Sequence, residues 1–379
     1  MQATPILQFG TSRFLQAHAD LFVSQAMAQG QNVGPITVVQ SSGDAARHSR
    51  LAGLVGSYPV RIEGRADGVS LQEALQVNSV TRTLSTATDW PEVCRVFAQE
   101  AEIVLSNTGD SGYAPQEGDG GAGFEQHMSY PAKLTLLLRH RFAHGAASIQ
   151  IMPMELIADN GAVLKRRVLD LAGQDDPALR AYLCEQVIWV NSLVDRIVSQ
   201  PLEPAGAVAE PYALWAIEDQ PNLAVPCAHP AVQVVPSLAR IEALKLFVLN
   251  LGHSVFADRW LGRQKQGQGQ EQGQADVYVR QLMEDPVEVG ALKAVLQDEV
   301  RPAFVAAGLE AEIDPYIATT LERFANPYLD QKIADIAQNH PQKVDRRIAA
   351  LLEWAARHGD VSDKPVLSSI VERHKDQAP

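Results

Sequence analysis

The sequence predicts an α/β protein: an N-terminal domain of strands and helices around a mainly parallel sheet, then a mainly α-helical domain. Three observations carry this. The chain opens with a strand over residues 5–9, a turn at Gly10-Thr11-Ser12, a helix over 13–28 and a strand over 36–40. Short apolar strands go on alternating with amphipathic helices to about residue 200. From Ser237 onward the apolar periodicity is helical almost throughout. A length of 379 residues also favours two domains. Pro201, Pro204 and Ala205-Gly206 break the pattern, so the boundary is expected there, giving domains 1–202 and 203–379.

Taken in order, the first unit has the length of one half of a dinucleotide-binding, Rossmann-like fold. Its glycine fingerprint is degenerate, because Ser12 and Phe14 or Leu15 stand where further glycines are expected. After the second strand comes Ser41-Ser42-Gly43. Residues 58–62 and 73–80 alternate like strands, and 89–99 reads as a helix with Asp89 as cap and Pro91 in its first turn. A buried strand over 101–105 ends in Ser106-Asn107-Thr108-Gly109, small polar residues where ligands bind in such sheets. Helix 131–141 carries Lys133, strand 147–152 follows, and Asn160-Gly161 turns the chain into helix 162–171. Residues 178–190 read as helix, with Asn191 to Ile197 after it, and 212–218 and 231–235 as strands. Residues 264–274 are a Gln/Gly tract of low complexity, expected to be a solvated loop.

Composition excludes several classes. The formal charge is -13, which disfavours nucleic acid or an anionic membrane as main partner. No run approaches about 20 apolar residues, so no membrane span is expected. The start, Met-Gln-Ala-Thr-Pro, has no basic or long apolar segment, so no signal peptide is expected. Cys94, Cys184 and Cys227 lie far apart, and we expect reduced, largely buried thiols in a cytoplasmic protein. His229, His340 and His358 show no metal spacing, so no metal site is expected.

The stretch 240–260 is the chemically dense one. As an α-helix it sets Glu242, Lys245, Asn250 and His253 within an arc of roughly 140°, while the other faces are apolar. That pattern reads as a buried helix. Burial favours the neutral form of an amine, as general acid/base chemistry near neutral pH requires. A lysine, an amide and an imidazole together supply a proton carrier, an oxyanion donor and a substrate donor.

Lys245-x-x-x-x-Asn250-x-x-His253, joined to the Gly10 turn, resembles the mannitol dehydrogenase family of polyol-specific long-chain dehydrogenases/reductases over nearly the whole chain. The resemblance implies a metal-independent, NAD(P)-dependent oxidoreductase. In it Lys245 is the general acid/base, Asn250 polarises the reacting oxygen, His253 binds substrate and Glu242 gates a proton path. The blocks Asn191-Ser-Leu-Val-Asp195-Arg196-Ile197 and Arg323-Phe-Ala-Asn326-Pro327 are similar to the family's. Asp195 and Arg323 are then substrate-side candidates with Asn160. Gly10, Ser12, Arg13, Phe14, Ser41, Ser106, Asn107, Thr108 and Lys133 are the cofactor candidates. Two departures stand out. The family's turn has a glycine at Ser12 and an arginine at Gln16, and the asparagine completing its oxyanion hole is replaced within Met154-Glu155-Leu156.

Pro153-x-Glu155-Leu156-Ile157, with Ser106-Asn107-Thr108 and residues 129–134, looks more like the tagaturonate (altronate) reductase branch. The expected substrate is therefore a sugar acid of tagaturonate/altronate or fructuronate/mannonate type. The alternatives are a mannitol- or arabinitol-type polyol dehydrogenase and an inactive NAD-binding sensor. NAD is the expected cofactor. NADP stays open, because Asp44 comes late for a ribose contact and Arg47 and Arg50 follow it. A monomer or small homo-oligomer fits.

Overall fold

The computed structural model describes residues 3–43, 48–66, 68–121, 123–145, 147–265 and 276–375. Asp44, Arg47 and most of the Gln/Gly tract lie outside the described residues. Among the described residues thirteen strands are present: β1 Ile6–Phe9, β2 Ile36–Gln40, β3 Tyr58–Ala66, β4 Val69–Val77, β5 Val80–Ser85, β6 Ile103–Ser106, β7 Ile149–Pro153, β8 Val187–Trp189, β9 Ser192–Asp195, β10 Val198–Pro201, β11 Ala207–Ala209, β12 Leu214–Glu218 and β13 Val232–Val235. Two compact units result: residues 1–63 with 72–238, and residues 64–71 with 239–379.

The first unit is built on a six-stranded sheet in the order β5-β2-β1-β6-β7-β8. Every pairing in it is parallel. The chain therefore leaves β1 on one side through β2 to β5 and returns on the other through β6 to β8. The strand order reverses beside β1, and ligands bind at the carboxyl ends of the strands at such a point. The strands β1, β2, β6 and β7 are buried along their whole length, as a sheet covered on both faces requires. Leu7, Phe9, Val104, Leu134, Leu138 and Ile151 form the heart of one core.

Four expectations needed correction here. The helix over 13–28 is broken into Arg13–Gln16 and Ala19–Ala28, with His18 off helical geometry. The strand read at 73–80 is β4, and β5 after it was not foreseen. The helix read at 178–190 stops at Glu185, and Val-Ile-Trp becomes β8 because it pairs with β7. The expected boundary at 202 also differs from the observed division at Leu238/Ala239. Residues 203–238 stay with the first unit because β11 pairs with β3, and β12 pairs antiparallel with β9. Of the cysteines, only Cys227 is buried, Cys94 is half-buried and Cys184 is exposed.

His18 and Asp20 give the first unit a testable pH signature. His18 is buried among Phe14, Phe22 and Trp215, with Nε2 2.9 Å from the Leu214 carbonyl. Burial lowers its pKa to about 3. Asp20 is equally buried, accepts a hydrogen bond from Tyr58 at 2.7 Å, and is raised by burial to about 7. For His18 the unfolded chain takes the proton first, so stability is lost as pH falls from about 6.5 towards that lowered value. For Asp20 the folded chain holds the proton, so stability is lost as pH rises from the ordinary carboxylate range towards the raised value. The two slopes oppose each other between about pH 4 and 6.5. Asp20→Asn should expose the His18 slope, with stability in urea rising between those pH values more steeply than in the wild type, by up to about 1.4 kcal/mol per pH unit.

The second unit is helical. Its core includes Phe247, Val248, Leu251, Phe256, Leu296 and Phe304. Ala239–Leu244 leads into a π-helical segment, Lys245–Asn250, and then into the helix Leu251–Lys265. Two more π-helical segments, Val295–Val300 and Asp345–Ala349, pack against it. Among the described residues no helix is long and apolar enough to cross a membrane.

Candidate active site

In the first unit a cleft of about 250 Å³ opens at the carboxyl ends of β1, β2 and β6, lined by Gly10–Ser12, Gln40–Ser42, Arg50, Asn107 and Thr108. Gly10 is required there. Its φ is +126°, and a Cβ would come 2.6 Å from the Asn107 carbonyl oxygen. Its amide donates to Val39 O at 3.0 Å, and Asn107 N donates to Phe9 O at 2.9 Å. Ser12 takes over where a second glycine was expected. Its hydroxyl caps the helix Arg13–Gln16 by accepting from Leu15 N, and donates to Asn107 Oδ1 at 3.2 Å.

Glu155, which entered the sequence analysis only within the segments around Leu156 and with no role of its own, organises this rim. Its buried carboxylate accepts from the hydroxyls of Ser106, Thr108 and Tyr113 at 3.0 Å each, and from Thr108 N at 2.9 Å. Burial pushes its pKa up, and the donated hydrogen bonds oppose that shift. An acid set between Met154 and Leu156 just past a buried strand was the signal for it. Lys133 is also buried and donates to Ser41 O at 2.8 Å. Its pKa is lowered to about 8 by burial. It holds the Ser41 turn through that hydrogen bond and is not among the residues lining the cleft.

Three expected site residues are committed elsewhere. Arg13 donates to Gly206 O at 3.0 Å and to Glu203 at 2.7 Å, so its guanidinium faces that loop. Phe14 stacks on His18, with ring centroids 4.7 Å apart. Asn160 is a structural clamp: Nδ2 donates to Pro153 O, Glu155 O and Ser192 O, while Oδ1 accepts from Gly161 N and Ser192 N. Its hydrogen-bonding capacity is used up, which leaves none for a substrate. Gly161 beside it approaches the chain so closely that a Cβ would lie 2.4 Å from Val190 O. Asp195 is buried in β9, and Leu156 is exposed.

In the second unit the π-helical segment changes the geometry read from the sequence. A π-helix closes its hydrogen bonds on i+5, so each residue turns the chain by less than the 100° of an α-helix. Lys245 and Asn250 are five apart and span this segment. The arc of roughly 140° between them in an α-helix therefore narrows, which brings the two towards one face. Lys245, Glu242 and Asn250 are half-buried, correcting the expectation of a buried lysine. His253 is buried, with Nε2 3.3 Å from Gln331 Oε1 and its ring 4.4 Å from that of Phe324. Arg323, next to Phe324, is buried as well. Arg347, not foreseen, donates to the Asn250 carbonyl and to Ser254 Oγ, both at 3.1 Å. It pins the end of the π segment, and its pKa is lowered to about 10 by burial.

The mannitol dehydrogenase Rossmann domain matches residues 4–227, and the mannitol dehydrogenase C-terminal domain matches 237–371. The chain belongs to the mannitol dehydrogenase family. Like other members it is an NAD-dependent oxidoreductase acting on CH–OH groups. It is 27% identical to an altronate oxidoreductase of Bacillus subtilis (strain 168), over 96% of this chain and 78% of the relative. An altronate oxidoreductase of Halalkalibacterium halodurans is 28% identical, with 94% and 72% covered. Among solved structures, a D-sorbitol dehydrogenase superposes with a TM-score of 0.75 at 20% identity, covering 92% of this chain and 75% of that one. A Pseudomonas fluorescens mannitol 2-dehydrogenase in ternary complex with NAD and D-mannitol gives 0.71 at 18%, covering 98% and 84%. The family's cofactor fits the cleft. Gly10 leaves room where any side chain would intrude, and Ser12, Asn107 and Thr108 offer polar groups at the strand ends where a dinucleotide binds.

Proposed function

We propose that this member of the family interconverts a ketouronate and an aldonate, of tagaturonate/altronate or fructuronate/mannonate type, with Lys245 as general acid/base. The observation that carries the proposal is the π-helical segment Lys245–Asn250, which narrows the arc between Lys245 and Asn250 and runs into the helix that bears His253. NAD supplies or accepts the hydride when bound. Lys245 delivers a proton to the carbonyl oxygen during reduction and removes it from the hydroxyl during oxidation. Asn250 holds that oxygen by a hydrogen bond, and His253, oriented by Gln331 and Phe324, binds a neighbouring substrate oxygen. Glu242 lies on the same helix just before Lys245 and serves the proton path. The altronate oxidoreductase relatives favour a sugar acid over a polyol. Tagaturonate, fructuronate, fructose and mannitol, each assayed with NADH or NAD, test the reading. Turnover of a ketouronate at least tenfold more efficient than of fructose or mannitol is expected. Efficient mannitol oxidation without ketouronate reduction would make it a polyol dehydrogenase, and NAD binding without any turnover would make it a sensor.

The cofactor preference is separately testable. NADH should be used with higher kcat/KM than NADPH. Arg50 lines the cleft beside Ser41 and Ser42, and its buried Nε has no hydrogen-bond partner among the described residues, so NADPH should be tolerated. Arg50→Ala should then lower efficiency with NADPH more than with NADH. A tenfold preference of the wild type for NADPH would overturn this assignment.

A further inference from the structure

In the second unit, three side chains far apart in sequence converge in the interior. Asp258 lies on the helix Leu251–Lys265, His340 opens the helix His340–Val344, and His374 closes the helix Pro365–His374. All three are buried. One carboxylate oxygen and one nitrogen from each ring lie within 4.8 Å of one another. Asp258 Oδ1 is 2.9 Å from His374 Nε2 and 3.6 Å from His340 Nε2. Asp258 Oδ2 accepts from Arg373 at 2.6 Å. We propose that Asp258, His340 and His374 bind a divalent transition-metal ion, best matched by zinc, which fastens the C-terminal helix to the rest of its unit.

An independent observation points the same way. His340 is 3% exposed, yet among the described residues neither of its ring nitrogens has a hydrogen-bond partner, Nε2 standing 3.6 Å from Asp258 Oδ1, and Nδ1 of His374 has none either. A buried imidazole with both nitrogens unused is costly, and such a group calls for an ion or water. Sharing Asp258 between His374 and Arg373 accounts for those two side chains and leaves His340 unexplained. A metal held by one nitrogen of each ring gives His340 the partner it lacks and leaves Asp258 shared with His374 and Arg373. Two imidazoles and a carboxylate with a water are a zinc donor set, and ligand bonds of about 2.0–2.2 Å put tetrahedral ligand atoms roughly 3.3–3.5 Å apart. The observed 2.9 and 3.6 Å bracket that spacing. Arg373 then plays the outer-shell part, holding the second carboxylate oxygen. A cavity of about 380 Å³ reaches Asp258, its wall carrying Asp298, Glu299 and Asp363 together with Arg259 and Arg373. Asp258 follows Lys245 by thirteen residues, on the order of 20 Å along the helix, so the ion has a structural role apart from hydride transfer.

The test uses the full chain, stripped with a chelator and titrated with zinc chloride, then with cobalt chloride. The wild type should bind one equivalent of zinc, with a melting temperature raised on the order of 5 °C at saturating metal, and cobalt should give the visible bands of a four-coordinate site. Asp258→Asn should lose both. Because it also strips Arg373 and His374 of their partner and risks misfolding, His340→Gln is the deciding variant. It removes a ligand and leaves the hydrogen bonds of Asp258 to Arg373 and His374 in place, so the zinc-dependent rise should disappear when each chain is compared with its own metal-free form. Absence of stoichiometric zinc binding by the wild type, or an unchanged zinc response in His340→Gln, would overturn the proposal.

Discussion

Lys245→Ala should lower the turnover number for ketone reduction by a factor on the order of 10² to 10⁴, the usual contribution of a positioned general acid/base. As the carbonyl is reduced its oxygen becomes an alkoxide, and without Lys245 the proton must come from water. Asn250 would still hold the oxygen, so a residual rate should survive. The split between parameters is diagnostic. NADH affinity should stay within about twofold, because the cleft at Gly10 is built wholly from residues of the first unit. Small primary amines added to the assay should restore part of the rate, and more so for those that fit the space of the lost side chain. Near-normal turnover in Lys245→Ala, or loss of NADH binding together with activity, would make Lys245 a structural residue and would remove the acid/base assignment.

What the sequence could show follows from the physics of each feature. The parallel sheet was legible because strands covered on both faces become continuous apolar runs, as in β1, β6 and β7. β8 was not legible, since three residues directly after a helix have no period of their own, and only pairing with β7 makes them a strand. Local spacing placed Lys245, Asn250 and His253 on one helix, but it could not show the π-helical segment, which no side-chain pattern encodes. It also could not show what a side chain does after it leaves the backbone. Arg13 and Asn160 sit in the right neighbourhood and spend their hydrogen bonds on the protein itself. Glu155 does the reverse: it was given no role of its own beside the missing amide at Leu156, and it is the anchor of the rim at residues 106–108. Asp258, His340 and His374 span 116 residues, so their meeting is a product of tertiary packing alone.

Gly10→Ala should weaken NADH binding by roughly ten- to a hundredfold while leaving the second unit's chemistry intact. The backbone at φ +126° lies outside the region that side chains tolerate, and the added methyl would stand 2.6 Å from the Asn107 carbonyl. Strain of this kind costs about 1–3 kcal/mol, and each 1.4 kcal/mol is a tenfold change in affinity. The direction of relief decides the phenotype. β1 is buried and paired on both sides, so the displacement falls on the Asn107 turn, whose side chain ties Ser12 Oγ to Met154 O. Moving that turn opens the cleft where the cofactor lies, so KM for NADH should rise more than kcat falls. Gly30→Ala is the control. Gly30 also has a positive φ, +79°, but a Cβ there meets nothing within 4 Å, and the residue does not line the cleft. It should lose some stability and keep NADH affinity. If Gly10→Ala bound NADH as the wild type does, or if Gly30→Ala lost affinity equally, the effect would be one of general stability and the cleft at Gly10 would not be the cofactor site.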